Sequence, residues 1–331
     1  VGLAVGLLAW FLRNADLAAV WLAITQGRLD LLALALGVTA LNYTIRSLRW
    51  QYLLRGLGPT RFSTAFRDTV RGFAASFLLP ARAGEFLRPY LLARREKLSA
   101  TAAFATVILE RVIDAVTVLM FFAVFLLTPD PALARADPAV LRAVKVGGLA
   151  VAAATAGVLV VFFFLAGHPE KLGRASLRAE KVLPPRLAHL VARLVKTFAE
   201  GLGAIRKPQQ LLMVVVWSVP LWLSIAAGIY LVTRAFHIQT SFAGTFLTMT
   251  ILVVGVAVPT PGAVGGFHEA YRIAVTSFFQ APNDAAVAAA IVLHAISFVP
   301  VTIAGIVFMA REGLTLGRMR RMAEGAGEAG T

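Results

Sequence analysis

Apolar stretches recur along the chain at bilayer length, and polar residues collect between them. Residues 29–49, 100–127, 139–166, 211–236 and 285–310 each reach the ~20 residues a helix needs to cross hydrocarbon. Residues 1–12 are apolar but too short. They are read as the end of a first helix whose start is missing, rather than as a cleaved signal peptide. Trp50 and Tyr52 follow the second span as aromatic interface anchors would.

Two stretches depart from this pattern. Residues 62–93 run apolar, meet Pro80-Ala81-Arg82-Ala83-Gly84-Glu85, and resume as a short apolar half. Residues 242–279 repeat the plan around Pro259-Thr260-Pro261-Gly262-Ala263-Val264-Gly265-Gly266. Pro and Gly end helices. Broken backbone at membrane depth persists only inside protein or beside a wet cavity. Both stretches are therefore predicted to be re-entrant helical hairpins.

Basic residues test the layout. Arg46, Arg49, Arg55 and Arg61 flank the end of the second span, Arg94, Arg95 and Lys97 follow the first hairpin, and Arg311, Arg318, Arg320 and Arg321 follow the last span. A further basic loop lies between His168 and Pro208, whereas the opposite loops hold only Arg13, Arg28, Arg135 and Arg234. The rich side is expected to be cytoplasmic, with the two hairpins entering from opposite sides. An offset of 184 maps Glu85 onto Glu269, Arg88 onto Arg272, Ser99 onto Asn283 and Glu110 onto His294. An inverted repeat follows as an expectation, with halves 62–127 and 242–310, a common plan for transporters. Within 185–205, Leu187, Leu190, Val191, Leu194, Val195, Phe198, Leu202 and Ile205 share one helical face, which predicts an amphipathic helix on the cytoplasmic surface.

Composition sharpens the class. Of 331 residues 59% are hydrophobic and 15% charged, with a net charge of +15 and no Cys. That excludes disorder, disulfide scaffolds and thiol chemistry, and is too apolar for a nucleic-acid-binding module. The fold class expected is an all-α polytopic integral membrane protein. It has about six full spans (the first truncated) and two opposed hairpins in one domain, 1–310, followed by a flexible cytoplasmic tail, 311–331.

Ionisable residues inside such spans are costly and functional by default. The candidates are Arg82, Glu85 and Arg88 in the first hairpin, Glu110, Arg111 and Asp114 in the third span, Glu269 and Arg272 in the second hairpin, and His294 in the last span. Their pairwise spacing allows them to pair and pin the fold. It also suits a polar cavity whose arginines hold a phosphate and whose carboxylates hold a cation or a proton. His268-Glu269-Ala270-Tyr271-Arg272 lacks the second His of a zinc protease, and no phosphate loop or serine nucleophile elbow is present. No metal or cofactor is expected.

Four motifs occur in order: Arg46-x-x-Arg49-Trp50, Pro80-x-Arg82-x-Gly84-Glu85, Glu110-Arg111-x-x-Asp114, and Pro259-x-Pro261-Gly262-x-x-Gly265-x-x-x-Glu269. On these the chain resembles the lysylphosphatidylglycerol synthase transmembrane (flippase-like) family, over nearly its whole length. The resemblance implies an inner-membrane, multi-pass protein that moves lipids or lipid-linked groups between leaflets. Bifunctional members carry an aminoacyltransferase domain after the membrane part. Here only Arg311 to Thr331 follow the last span, so lipid aminoacylation is not expected. The expected function is a lipid translocase, passive or proton-linked, for a phospholipid, aminoacyl-phospholipid or polyprenyl-phosphate-linked lipid. The alternative is a membrane transferase acting on a lipid phosphate. Membrane lipids are the expected partners, nucleic acid is not one, and a homo-oligomer stays open.

Overall fold

The computed structural model describes residues 2–13, 15–79, 82–131, 137–167, 185–203, 208–257 and 260–312. Pro80, Ala81, Pro259, most of the basic loop after His168, the end of the amphipathic segment and the tail from residue 313 lie outside the described residues. Among the described residues the regular elements are all helical. They are α1 (Gly2–Leu12), α2 (Leu17–Thr25), α3 (Leu29–Leu54), α4 (Phe62–Leu78), α5 (Gly84–Glu96), α6 (Ala100–Leu127), α7 (Pro138–Gly167), α8 (Pro185–Gly201), α9 (Pro208–Ala235), α10 (Gly244–Ala257), a 3-10 turn (Pro261–Ala263), α11 (Gly266–Phe279) and α12 (Asn283–Ala310).

Among the described residues four helices are long and apolar enough to cross a membrane, α3, most of α7, α9 and α12, and α1 with α2, bent by 82°, would make a fifth span if they cross together. The protein is thus an α-helical membrane protein. α6 matches them in length at 28 residues but carries three ionisable residues near its middle. The start of α2 was not foreseen. Asp16 caps it, accepting hydrogen bonds from the amides of Ala18 (2.9 Å) and Ala19 (3.3 Å). Ser99 caps α6 through the amide of Ala102. Asn283 does otherwise: it sits in the first turn of α12 and accepts from Arg272 Nη1 at 3.2 Å.

The two broken stretches each fold back on themselves at glycines. A Cβ on Gly72 would stand 2.6 Å from Arg88 Cβ, and one on Gly84 would overlap the Gly72 carbonyl. α4 and α5 therefore cross with their backbones in contact. α10 and α11 do the same at Gly255, where a Cβ would stand 2.5 Å from the Gly266 carbonyl oxygen. α5 and α11 both end on a left-handed residue, Lys97 (φ 55°) and Gln280 (φ 53°), and each leads into a 28-residue helix.

α3 packs along α9, and α12 packs along α4. α6 runs between, touching α3, α5, α9 and α10. α8 does not merely rest at a surface. It docks on α6 and α7, with Ala192, Ala199 and Leu202 buried and Gly201 against Ala102 and Ala105. The seam thus joins small residues to part of the expected apolar face, Leu202 and Phe198, whose ring meets Phe162 of α7.

Candidate functional site

The middle of α6 turns its charges inward. Glu110 and Asp114 lie one helical turn apart and so share a face. Glu110 is fully buried. Two residues of α3, three apart and therefore also on one face, meet them. Arg49 donates to Asp114 Oδ1 at 2.6 Å and to Ser218 Oγ at 2.8 Å, and its Nη2 lies 3.1 Å from Glu110 Oε1. Arg46 Nη1 lies 3.6 Å from Glu110 Oε1. Trp222 of α9 adds an indole N–H to Asp114 at 2.9 Å.

α5 completes the cluster from the other side. Arg88 Nη1 is 3.3 Å from Glu110, with its guanidinium 3.8 Å above the centre of the Trp50 ring. Trp50 is held in turn by its N–H bond to Thr106 Oγ1 at 3.2 Å. Arg111 bridges Asp114 and Glu85, each at 3.5 Å, and Arg82 lies 3.8 Å from Glu85. Exposure is 0% at Glu110 and 7% at Asp114 but 37% at Arg111, 27% at Glu85 and 46% at Arg82, so the outer three members are partly open. The cluster runs from the protein interior to a rim.

Beside it lies a cavity of about 410 Å³. Arg46, Arg82, Glu85, Arg88, Arg111 and Asp114 line its polar part; Phe77, Met249, Leu252 and Leu293 are among its apolar walls. Phe73 also lines it, with the Arg46 and Arg111 guanidinium carbons 5.0 and 6.0 Å from its ring centre. Arg49 is absent from the lining and fully buried, which makes it the counter-ion that holds the carboxylates. Five guanidinium groups face three carboxylates here. The Nε atoms of Arg46, Arg88 and Arg111 are buried with no hydrogen-bond acceptor among the described residues. An arrangement with surplus donors and positive charge can hold an anion.

The structure brings together six of the nine residues singled out from sequence: Arg82, Glu85, Arg88, Glu110, Arg111 and Asp114. The other three lie elsewhere. Glu269 and Arg272 form their own pair at 2.5 Å on α11, outside the cavity lining. His294 lies against His268, ring centres 4.5 Å apart and tilted by 33°, and donates through Nε2 to the Gly262 carbonyl at 2.7 Å. It braces the turn before α11 rather than mirroring Glu110.

Arg46 and Arg49 were misjudged. At the end of an apolar run they read as interface charge, but α3 continues to Leu54 and buries both. The signal was available: Asn42, Arg46, Arg49, Trp50 and Leu53 share one helical face, and a face mixing such residues points into protein, not lipid.

A family model described as the lysylphosphatidylglycerol synthase TM region matches residues 1–305. The chain belongs to this family. Among curated proteins none matches it. Every residue of the cluster lies within the matched stretch. As a member of the lysylphosphatidylglycerol synthase TM family the chain is a multi-pass membrane protein of flippase-like type, as its ordered motifs implied. The match stops before Phe308 and Glu312, which take part in a separate ion cluster with α4 and α5.

Proposed function

We propose that this protein is a lipid translocase that moves an anionic lipid headgroup between leaflets. The carrying observation is a cavity that joins a cationic cluster to an apolar half. A headgroup takes the polar end while its tails follow the apolar walls. Dragging a charge through bare hydrocarbon is prohibitive, and fixed guanidinium groups lower that barrier by replacing water. Arg46, Arg88 and Arg111 bind the headgroup, Arg82 receives it at the rim, and Arg49 keeps Glu110 and Asp114 in place.

The two glycine-crossed helix pairs support a reading as re-entrant hairpins of an inverted repeat, with six spans in all. The charge distribution supports a bacterial-type inner membrane with the basic loops and the C-terminal end cytoplasmic. The transferase reading asks for a free catalytic base. Glu85, Glu110 and Asp114 are each engaged by arginine, which favours translocation.

Leaflet exposure of labelled lipids in proteoliposomes tests this. Phosphatidylglycerol, lysyl-phosphatidylglycerol and undecaprenyl phosphate are compared in wild type and in Arg46→Gln. Translocation of one lipid that falls at least about tenfold in the variant is the expected result, since a headgroup contact by arginine is worth over 1.4 kcal/mol. Folded wild-type protein that moves none of them defeats the proposal.

A further inference from the structure

Ion clusters within this chain differ in their balance. Asp68, Arg71, Arg95 and Glu312 join α4, α5 and the residues after α12, and there two acids meet two arginines. Glu269 and Arg272 balance one to one. The cavity cluster does not balance. Among the described residues Arg46, Arg49, Arg82, Arg88 and Arg111 meet Glu85, Glu110 and Asp114, five cations against three anions, which leaves two positive charges over. Its buried members alone, Arg46, Arg49 and Arg88 against Glu110 and Asp114, leave one positive charge over, and away from water such a surplus calls for an anion.

The size of the surplus discriminates between lipids. A phosphodiester headgroup brings one negative charge and leaves one arginine uncompensated. An aminoacyl headgroup that adds ammonium groups raises the surplus. A phosphomonoester carries about −1.5 to −2 at pH 7 and offers three strong acceptor oxygens. It matches both the charge and the donors of the cavity-lining arginines that lack a partner among the described residues, the Nε atoms of Arg46, Arg88 and Arg111 and Nη2 of Arg88.

Arg82 decides between one surplus charge and two. It lines the cavity, and its nearest carboxylate oxygen is 3.8 Å away. Its backbone has φ 54°, the left-handed region that residues with a side chain seldom occupy. Glycine would sit there without strain. An arginine held there against backbone preference, at the rim of a cavity, points to a role for its side chain.

Resting on the translocase reading, we propose that the site takes a lipid whose headgroup ends in a dianionic phosphate, and that Arg82 sets the preference for it over phosphodiester lipids. The apolar walls at Phe77, Met249, Leu252 and Leu293 favour a lipid phosphate over a soluble one.

Delipidated full-length protein is titrated, by native mass spectrometry, with phosphatidic acid, phosphatidylglycerol and lysyl-phosphatidylglycerol of matched chains. Inorganic phosphate and glycerol 3-phosphate are the soluble competitors. At pH 8, phosphatidic acid is expected to bind about tenfold tighter than phosphatidylglycerol, as one extra charge pair at partial burial allows. The ratio falls to about twofold at pH 5, where the monoester keeps its second proton (pKa about 6). Arg82→Gln shows the same fall at pH 8, and Arg82→Lys retains the preference. Phosphatidylglycerol or its lysyl ester binding as tightly as phosphatidic acid to wild type overturns the dianion preference. A preference unchanged in Arg82→Gln overturns the role of Arg82. Displacement of phosphatidic acid by an equal concentration of either soluble phosphate overturns the lipid source. Folded protein that binds no lipid refutes the translocase reading itself.

Discussion

Arg49 and Asp114 meet at 2.6 Å between α3 and α6, and the arginine side chain is fully shielded from solvent. Arg46, one turn earlier on α3, touches Glu110 more loosely, at 3.6 Å, and lines the cavity. The two arginines therefore have different work, and substitution separates them. Removing Arg49 takes from Glu110 and Asp114 their shortest arginine contacts, at 3.1 and 2.6 Å, and breaking a buried ion pair costs about 3–5 kcal/mol. Arg49→Gln is expected to lower the thermal unfolding midpoint in detergent sharply. Arg46→Gln should leave that midpoint nearly unchanged while weakening lipid binding. Equal destabilisation by both would show that Arg46 is structural too.

Glu110 is contacted by Arg46, Arg49 and Arg88 and has no exposed surface. Glu110→Gln alone leaves that positive charge without its counter-ion. Adding Arg88→Gln relieves part of it, so the double variant should be the more stable of the two, against the usual additivity. A coupling of about 1–3 kcal/mol is expected in a cycle of four unfolding measurements. A coupling near zero would mean that Glu110 and Arg88 do not interact in the folded protein.

Gly72 tests the crossing of α4 and α5. A methyl group there meets Arg88 at its Cβ, so Gly72→Ala must push α5 outward and lift Arg88 from Trp50. Overpacking of this kind costs about 1–3 kcal/mol. The exposed Gly37 has open space around it, and Gly37→Ala on the same scale should be neutral or slightly stabilising, since alanine favours helix. Tryptophan fluorescence and unfolding midpoints distinguish the two; a silent Gly72→Ala would contradict the backbone contact.

Glu312 gives a prediction in pH. The hydrogen bond from Arg95, joined by Arg71, holds its carboxyl below the ordinary value against the opposing effect of burial. A carboxyl depressed in the folded state contributes stability above its unfolded pKa and loses it as pH falls through the folded one. Wild type should therefore exceed Glu312→Gln in stability at neutral pH, and the gap should close below pH ~4. Unfolding midpoints from pH 3 to 7 check this. A gap that persists unchanged at pH 3 would show that the ion pairs with Arg71 and Arg95 contribute nothing.

Much of the helical layout was legible because bilayer length and apolarity leave few alternatives: α6 begins and ends where the apolar run does. Breaks at Gly84 and Gly266 were legible for the same reason, as glycine and proline interrupt a pattern that is otherwise continuous. The site was less so. Charge on α6 stood out against its apolar neighbours, but charge on α3 lay where an interface was expected, so Arg46 and Arg49 passed for loop residues. Trp222 and Ser218 were invisible as site residues, since one chain position says nothing about which neighbour a helix faces. The offset that linked Glu85 and Arg88 to Glu269 and Arg272 matched residue types. It carried no information on their surroundings, and α11 keeps its pair out of the cavity.

The charged middle of α6 also bears on how the chain enters a bilayer. Three ionisable residues at ~2.5–3.5 kcal/mol each offset much of the apolar gain of inserting that helix alone. Its counter-charges on α3 and α5 are earlier in the chain, so they have left the ribosome before α6 does. α6 can thus be received by helices already at the insertion site, while Ser218 and Trp222 arrive later to complete the cluster. Glycosylation mapping should find α6 inserted efficiently behind α3–α5 and poorly as a lone segment. The order of helices along the gene is then an assembly schedule, in which the buried carboxylates of α6 are made only after their arginine partners are waiting for them.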